Sequence, residues 1–301
     1  MKVWIKAARL RTLPLSLSGI ILGYAVAVSP YFGNSPNNIT VLVLALVVTL
    51  CFQVLSNYAN DYGDGVKGTD NDQRLGPKRS LQSGEITPLQ MKKAILVLAI
   101  ISFLLSIALI VYSLGTSVLW VVALFVLLTI ASIWAAIKYT VGDNAYGYKA
   151  LGDVFVFLFF GLLSVCGTFY LVHQHWENYI LLPAIFVGCY STAVLNLNNM
   201  RDIKNDKNSG KTTIPVRLGL AKAKIYHVIL LGLGLSALLT FVFSKNMNYS
   251  GIISIVVILL TAIHLVKVLK AKHSSPLDPE LKFVALTTFA VSILVSLVIA
   301  E

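Results

Sequence analysis

A polar cluster directly follows an apolar stretch that is long enough to cross a membrane. Within it, Asn198, Asp202 and Asp206 are spaced by four residues. At about 100° per residue, this spacing puts the three side chains on nearly one stripe of a helix. Carboxylate and carboxamide oxygens are hard ligands for a cation. The spacing therefore predicts a cation site at the end of that helix.

A second cluster also follows an apolar stretch and contains Asn57, Asp61 and Asp64. Its first two members repeat the spacing of Asn198 and Asp202, which leaves an internal duplication open as one explanation. An isolated Asp at such a position would be an ordinary helix end or loop residue. Two matching clusters instead favour a site for a metal ion or another polar ligand.

The composition indicates which elements position these clusters. The chain is 57% hydrophobic and only 12% charged, whereas a soluble domain has about 25% charged residues. Its mean hydropathy is +0.80. We therefore predict an integral membrane protein with an all-α fold, in which residues 1–301 form a single bundle of about nine transmembrane helices. The expected spans are residues 13–32, 39–58, 89–113, 117–137, 151–172, 178–197, 225–244, 250–269 and 283–300.

The charges indicate how the bundle is oriented. If the nine spans alternate in direction, all of the 24 Lys and Arg residues except Lys245 fall on one side of the membrane. The positive-inside rule makes that side cytoplasmic, which predicts an internal N-terminus and an external C-terminus at Glu301. The basic face suits anionic lipids and diphosphates better than nucleic acid, because no nucleic-acid-binding module is recognisable.

Both clusters open long cytoplasmic segments, residues 59–88 and 200–224, where we expect the functional residues to lie. Residues 74–84 combine cations with Gly, Pro and small hydroxyl side chains, so they should form a loop. After this loop, Thr87 is expected to be the N-cap of the third span, with Pro88 in its first turn.

Two acidic faces at the cytoplasmic mouth of an apolar bundle suit one kind of substrate. Mg²⁺ shares its coordination with phosphates, so a diphosphate could bind between the clusters while the bundle holds a hydrophobic tail. Tyr139 and Tyr148 could stabilise a developing carbocation through their π faces, although aromatic residues are also common at membrane interfaces. Several cations could also contact the diphosphate, although the positive-inside rule alone would explain a cation at each position. They are Arg74, Lys78, Arg79, Lys138, Lys211 and Arg217.

These residues resemble the UbiA superfamily of intramembrane prenyltransferases, whose members have nine helices and two Asp-rich motifs. Asn198-x3-Asp202-x3-Asp206 matches the second motif. The first motif is approached by residues 57–64, but its third carboxylate at spacing four would fall on Gly65. The resemblance implies that the site binds Mg²⁺ and a polyprenyl diphosphate.

Within that superfamily, four segments are similar to the 1,4-dihydroxy-2-naphthoate polyprenyltransferases of menaquinone synthesis. They are residues 60–64, 74–84, 151–161 and 198–219. The similarity implies that 1,4-dihydroxy-2-naphthoate accepts the prenyl chain and loses its carboxyl group, which gives demethylmenaquinone and pyrophosphate. It also implies a location in a bacterial cytoplasmic membrane.

The resemblance further assigns roles to individual residues. It implies Mg²⁺ ligation by Asp61, Asp64, Asp202 and Asp206, assisted by Asn57 and Asn198. The expected substrate-binding residues are Asn57, Asn60, Arg74, Lys78, Arg79, Gln82, Ser83, Lys138, Tyr139, Tyr148, Lys149, Asn198, Arg201, Lys211 and Arg217. Ring electrons of the acceptor supply the nucleophile, so no Ser/His/Asp or Cys/His constellation is required.

Other readings of the sequence remain open. The acceptor could be a different aromatic compound, such as 4-hydroxybenzoate or homogentisate. A secondary transporter also has intramembrane polar residues and repeats, but its polar or helix-breaking residues are expected near the bilayer midplane. A nonenzymatic lipid-binding scaffold would bind independently of Mg²⁺ and leave the diphosphate unchanged.

Overall fold

The computed structural model describes residues 2–72, 74–115, 118–244 and 249–300, except for the side chain of Arg11. Across these ranges the chain is helical, and extended pairing is limited to an isolated bridge between Lys149 and Thr212. This confirms the predicted all-α class. Lys245 and Glu301, on which part of the predicted topology depends, lie outside the described residues.

The helices follow the predicted apolar windows closely. They are α1 Lys2–Ala8, α2 Leu13–Val28, α3 Ile39–Val66, α4 Pro88–Leu114, α5 Leu119–Lys138, α6 Gly152–Val156, α7 Gly167–His173, α8 Leu181–Arg201, α9 Ile203–Asn208, α10 Ile214–Phe243, α11 Ser250–Lys270 and α12 Asp278–Val298. A π-helical segment, Phe157–Cys166, joins α6 to α7, so that Gly152–His173 forms one candidate span. In the described part of the chain, eight helices are long and apolar enough to cross a membrane. The pair α1 and α2, bent by 58°, raises that number to nine if it counts as one span.

Local chemistry explains where α4 begins. Thr87 accepts a hydrogen bond from the Gln90 amide at 3.3 Å, and the Gln90 side chain accepts one from the Thr87 amide at 2.9 Å. These reciprocal bonds form a capping box, and Pro88 occupies the first turn. The predicted N-cap is therefore confirmed.

The first Asn/Asp cluster lies on a helix that is longer than predicted. The expected span ends at residue 58, but α3 continues to Val66. Asn57, Asp61 and Asp64 therefore belong to one continuous helix, and its rotation decides which of them faces the interior of the bundle.

The main buried cluster is built largely from α2, α8, α10, α11 and α12, with side chains such as Leu22, Phe186 and Phe241 fully buried. Close backbone approach tightens one contact in this region. A Cβ atom added to Gly161 would lie only 2.7 Å from the Cα of Gly188. Small residues permit such approach between membrane helices, and this contact fixes the π-helical segment against α8.

A buried chain of polar side chains joins α8, α10, α11 and α12. His264 Nδ1 donates to Glu280 at 2.7 Å, so His264 Nε2 can accept from His227 Nε2 at 2.8 Å. Asn196 then donates to His227 Nδ1 at 3.4 Å. These hydrogen bonds fix the tautomers of both imidazoles. They also link four helices whose remaining contacts are largely apolar.

We expect His264→Ala to destabilise the bundle, because it removes the central member of this chain and leaves buried partners on both sides. The free energy of unfolding should fall by about 1–3 kcal/mol. Thermal unfolding of the detergent-purified protein measures the change. The matched control is His273→Ala, since His273 is exposed. Equal melting temperatures for the two variants would show that the hydrogen bonds of His264 do not stabilise the fold.

Candidate active site between the two polar clusters

A cavity of about 400 Å³ brings the two polar clusters together. Six residues of the two clusters line its wall: Asn57, Asn60, Asp64, Asn198, Asp202 and Asp206. The first three lie on α3, and the others lie at the end of α8 and on α9. The C-terminal ends of α3 and α8 therefore lie at the same end of the bundle, as their separation by an even number of spans predicts.

The cavity also extends far from its polar end. Ala45 and Asp64 both line it from α3. Because a helix rises 1.5 Å per residue, the cavity runs for about 28 Å along α3, which is close to the thickness of a bilayer core. Most of the remaining wall is apolar and includes Ile20, Leu109, Phe125, Phe155, Phe159, Phe160 and Leu163. The space can hold a charged head group and a long hydrophobic tail together.

Asp64 is held by two side chains. Tyr148 donates its hydroxyl hydrogen to Asp64 Oδ1 at 2.8 Å, and Lys211 Nζ lies 3.2 Å from Oδ2. Burial and the charge of Asp64 raise the pKa of Tyr148, so this phenol stays protonated and can donate. Burial opposes the charge of Lys211, but the carboxylates of Asp64 and Asp206 outweigh it and raise the pKa of this ammonium group.

The two tyrosines predicted to face a carbocation have different positions. Tyr139 lines the cavity, and burial raises the pKa of its phenol to about 12. Tyr148 is not part of the cavity wall: Lys67 Nζ lies 4.0 Å from its ring centroid, and its hydroxyl contacts Thr69 Oγ1 at 2.6 Å. In the structure Tyr148 orients Asp64, and a π-face role for its ring stays a prediction.

We expect Tyr148→Phe to lower kcat/KM about tenfold, because one charge-assisted hydrogen bond to a carboxylate contributes about 1.5 kcal/mol. The measurement is a steady-state assay, on purified protein, of the prenyl transfer that the sequence resemblance implies. Tyr112→Phe is the control, since Tyr112 is an exposed phenol on α4. An unchanged kcat/KM in Tyr148→Phe would contradict the orienting role.

The second cluster differs from the predicted helical stripe. Helix α8 ends at Arg201, and Asp202 has φ −95° and ψ 12°, so the helix is interrupted there before α9 begins. The Asp206 amide still donates to the Asp202 carbonyl at 2.9 Å, which keeps both side chains at the cavity. Burial raises the pKa of Asp206 to about 7, although the Lys211 charge opposes this shift.

Arg201 fixes the carboxylate of Asp202. Its Nε and Nη2 donate to the two Asp202 oxygens at 3.0 and 2.5 Å. Further donations reach Asn198 Oδ1 at 2.9 Å and Asp278 Oδ1 at 2.6 Å. Arg201 is only 2% exposed and does not line the cavity. It positions Asp202, and substrate contact by Arg201 stays a prediction.

Asp61 also lies away from the main cavity wall. Its carboxylate forms an ion pair with Arg9 and lies 3.7 Å from Arg79 Nε, in a smaller depression that Lys78 also lines. Asp61 was predicted to be a metal ligand but does not line the main cavity. Asn60 and Asp64, on the neighbouring face of α3, do line it. Asp61 instead holds two arginines that line the cavity.

Four cations line the polar end of the cavity: Arg9, Arg74, Arg79 and Lys211. Arg74 Nε lies 3.2 Å from Asp70 Oδ1 and 3.6 Å from Asp202 Oδ2. Arg74, Arg79 and Lys211 were predicted to bind substrate. Arg9 was not, because its place in a basic N-terminal segment was explained by topology alone. Asp70 and Asn205 were also missed, since neither belongs to an Asn/Asp repeat.

The other predicted substrate-binding residues do not line this cavity. Lys78 pairs with exposed Asp72 at 3.2 Å, and Gln82 accepts from the Arg79 amide at 3.2 Å. Ser83 donates to Glu85, Lys149 donates to Asn144, and Arg217 donates to the Lys149 carbonyl. Lys138 is the cationic end of α5 and is also absent from the wall. Substrate contact by these six residues stays a prediction.

The donor set fits a metal ion that is shared with a ligand. Among the described residues, no three His, Cys, Asp or Glu side chains converge closely enough to hold a metal ion alone. Asp64, Asp202 and Asp206 nevertheless line one cavity, with cations beside them. Mg²⁺ usually binds one or two carboxylates and completes its shell with phosphate oxygens and water. These carboxylates therefore suit a Mg²⁺–diphosphate complex.

Comparison with known proteins decides the family. Residues 16–295 match the UbiA prenyltransferase family. The chain belongs to this family. A 1,4-dihydroxy-2-naphthoate octaprenyltransferase of Haemophilus influenzae is 40% identical over 298 residues, which cover 99% of this chain and 95% of that protein. The Escherichia coli enzyme of the same name is 43% identical over 76% of this chain and 73% of its own length.

Solved structures support the fold of this UbiA-family protein. A UbiA homolog from Archaeoglobus fulgidus, bound to DMAPP and Mg²⁺, superposes with a TM-score of 0.68 at 15% identity, covering 98% of this chain and 99% of that chain. A digeranylgeranylglyceryl phosphate synthase gives a TM-score of 0.60 at 18% identity, covering 99% and 98%. The shared architecture agrees with the bundle described above.

Proposed function

We propose that this protein transfers a polyprenyl group from polyprenyl diphosphate to 1,4-dihydroxy-2-naphthoate, with release of pyrophosphate and CO₂. The observation that carries this proposal is a single cavity with a polar, cationic end and a mainly apolar wall about 28 Å long. The names of the two relatives described above support the choice of acceptor.

The cations account for binding and departure of the diphosphate. Arg9, Arg74, Arg79 and Lys211 offer donors at one end of the cavity, where they can offset charge that grows on the leaving pyrophosphate. Asp64, Asp202 and Asp206 would hold Mg²⁺ there, with Asn57 and Asn198 as nearby oxygen donors. When bound, Mg²⁺ supplies Lewis-acid stabilisation of the phosphate oxygens.

The apolar wall binds the prenyl chain and excludes water from the allylic carbon. As the allylic carbon–oxygen bond breaks, its electron pair leaves with pyrophosphate, and an electron-rich ring carbon of the naphthoate forms the new carbon–carbon bond. Tyr139 at the cavity wall presents an aromatic group that can stabilise the allylic cation.

Charge and atom balance explain why no dedicated base is needed. The acceptor carboxylate leaves as CO₂, and the electrons of its carbon–carbon bond remain with the ring. The net reaction therefore releases no proton from an ionised naphthoate. Because no electrons are removed, the immediate product is the quinol, demethylmenaquinol, and its oxidation to the expected demethylmenaquinone is a separate step.

The cavity end with the two clusters is proposed to face the cytoplasm of a bacterial cell. The basic residues of the loops around that end support this orientation through the positive-inside rule. The substrates fit it as well, since a charged diphosphate can enter from water while its tail lies among apolar helices. The test introduces a single cysteine at position 82 or at position 175 and treats sealed vesicles with an impermeant thiol reagent. We expect the reagent to label only one of the two positions, because they should lie on opposite sides of the membrane.

An acceptor comparison tests the reaction. Purified protein is incubated with Mg²⁺, one labelled prenyl diphosphate and, separately, 1,4-dihydroxy-2-naphthoate, 4-hydroxybenzoate or homogentisate. We expect prenylated product with the naphthoate alone. Product only with one of the other acceptors would replace the proposed substrate, and an intact diphosphate under all conditions would contradict an enzymatic role.

A further inference from the structure

A row of aromatic rings forms part of the cavity wall. The ring centroids of Tyr146 and Phe155 are 4.0 Å apart at an interplanar angle of 22°, and Phe159 follows 6.1 Å from Phe155 at 19°. All three side chains line the cavity. The Tyr146 hydroxyl donates to the Ala135 carbonyl at 2.8 Å, which fixes one end of the row to α5. Rings in this near-parallel arrangement present a surface on which another planar ring can pack.

Phe155 and Phe159 belong to residues 151–161, a segment that has no role in the site described so far. Each of the other three segments that are similar to the naphthoate polyprenyltransferases contributes charged side chains to the cavity. Residues 151–161 contribute only apolar side chains, and from Phe157 onwards the helix takes the wider π form, which is frequent at functional sites. This segment therefore suits an apolar part of a substrate.

Helix α8 adds a hydroxyl group that has no partner. Ser191 lines the cavity and is only 2% exposed. Its Oγ is buried and makes no hydrogen bond. Leaving a buried hydroxyl unpaired is costly, so Ser191 is suited to a polar group of a bound ligand.

Two contacts between the spans show that this hydroxyl and the aromatic row lie at a similar depth. Thr192 Oγ1 donates to the Asp153 carbonyl at 3.5 Å, and further along both spans Gly188 closely approaches Gly161. The two phenylalanines and the unpartnered serine lie between these contacts. Ser191 is seven residues before Asn198, or about 10 Å along α8 at 1.5 Å per residue. The aromatic row therefore lies next to the polar end of the cavity.

We propose that Phe155, Phe159 and Ser191 form the pocket for the aromatic acceptor and select a fused pair of rings over a single ring. This assignment rests on the proposed function. The unsubstituted ring of the naphthoate would pack against the two phenylalanines. Its hydroxyl groups flank the junction of the two rings, where one of them would bond to Ser191 Oγ. The substituted ring, which contains the reacting carbon, would then point toward the diphosphate.

A different role for the phenylalanines would be contact with the prenyl chain. The two roles predict losses of affinity for different substrates. Loss of an acceptor contact weakens binding of the naphthoate, whereas loss of a chain contact weakens binding of the prenyl donor. A second comparison uses 2,5-dihydroxybenzoate, which carries the same substituents as the naphthoate on a single ring. It lacks only the ring that the phenylalanines would contact.

The experiment measures acceptor binding to the full-length protein by anaerobic calorimetry. The protein is first loaded with Mg²⁺ and geranyl S-thiolodiphosphate, an unreactive donor analogue. For Phe159→Leu we expect about a fivefold loss of affinity for 1,4-dihydroxy-2-naphthoate, because the ring contact is lost while apolar volume is kept. Affinities for the donor analogue and for 2,5-dihydroxybenzoate, the latter measured by competition, should stay within about twofold. Ser191→Ala should weaken binding of both acceptors about fivefold.

Each variant has a matched control elsewhere in the bundle. Phe157→Leu changes the same π-helical segment, and Ser292→Ala removes another buried hydroxyl that makes no hydrogen bond. Neither residue lines the cavity, so both controls should bind the naphthoate like the wild type. If Phe159→Leu does not fold, Phe159→Met replaces it, since methionine also lacks a ring and should give the same selective loss.

Three outcomes would overturn the pocket: unchanged naphthoate affinity in Phe159→Leu or Ser191→Ala, equal losses for the two acceptors in Phe159→Leu, or a loss confined to the donor analogue. Wild-type turnover of the naphthoate is measured alongside. Normal turnover with unchanged affinities in both variants contradicts the pocket and leaves the proposed function standing. Absent turnover, with naphthoate binding that depends on Phe159 and Ser191, contradicts the proposed reaction while supporting the pocket.

Discussion

Asp202→Ala is expected to abolish prenyl transfer while leaving the protein in the membrane. Asp202 lines the cavity, is 4% exposed and has its orientation fixed by two donations from Arg201. Removal of a preorganised charged group from a catalytic site lowers kcat by about 10²–10³-fold or more. A steady-state assay at saturating Mg²⁺ should therefore give turnover near background.

The alanine variant also leaves Arg201 with fewer partners, so a second variant distinguishes chemistry from folding. Asp202→Asn keeps an acceptor for Arg201 but removes the charge, and it should fold like the wild type yet remain at least 10²-fold slower. The exposed Asp72→Asn serves as the control and should be fully active. Wild-type turnover in either Asp202 variant would contradict its assigned role.

Lys211→Met is expected to have the next largest effect, a loss of about 10²–10³-fold in kcat/KM. Lys211 is 6% exposed, lines the cavity and lies 3.2 Å from Asp64. Methionine has a similar length but no charge. It would remove a donor for the diphosphate and leave the carboxylates of Asp64 and Asp206 without their shared cation.

The matched control for this variant is Lys207→Met, which removes an exposed ammonium group from the same polar segment. It should retain activity within about twofold, since surface charges contribute little. Binding of prenyl diphosphate, measured by calorimetry, should fall in Lys211→Met alone. Equal behaviour of the two variants would assign Lys211 a purely topological role.

The bundle could be predicted well because its physical signals are local. A span needs about 20 apolar residues, and this requirement leaves a clear pattern in the sequence. The cap at Thr87 is also local, since Thr87, Pro88 and Gln90 are neighbours in the chain. The end of α3 was misplaced because polar residues can continue a helix beyond the hydrocarbon region, which hydropathy does not detect.

The site could be located but not fully resolved from spacing. Their spacing puts Asn57 and Asp61 near one stripe of a helix surface. Packing, however, determines how α3 is rotated and therefore which side chains face the cavity. In the structure Asn60 and Asp64 face the cavity, while Asp61 pairs with Arg9. The partner of Asp61 lies before the first span, so no local pattern could have indicated this pair.

Two further residues show why long-range contacts limit such predictions. Arg201 resembles any cation at the end of a span, yet it is buried against Asp202 and Asp278. Asp70 resembles a solvated loop residue, yet the loop folds back over the end of α3 and buries it. No local pattern in the sequence distinguishes Arg201 or Asp70 from such ordinary charged residues.

Decarboxylating prenylation can be tested by following the carboxyl carbon of the acceptor. Purified protein is supplied with prenyl diphosphate, Mg²⁺ and 1,4-dihydroxy-2-naphthoate labelled with ¹⁴C in its carboxyl group. We predict equal molar amounts of ¹⁴CO₂, pyrophosphate and unlabelled prenylated quinol or quinone, each formed at least 10²-fold more slowly by Asp202→Asn. Pyrophosphate release without ¹⁴CO₂, or a prenylated product that keeps the label, would contradict decarboxylating prenylation by this protein.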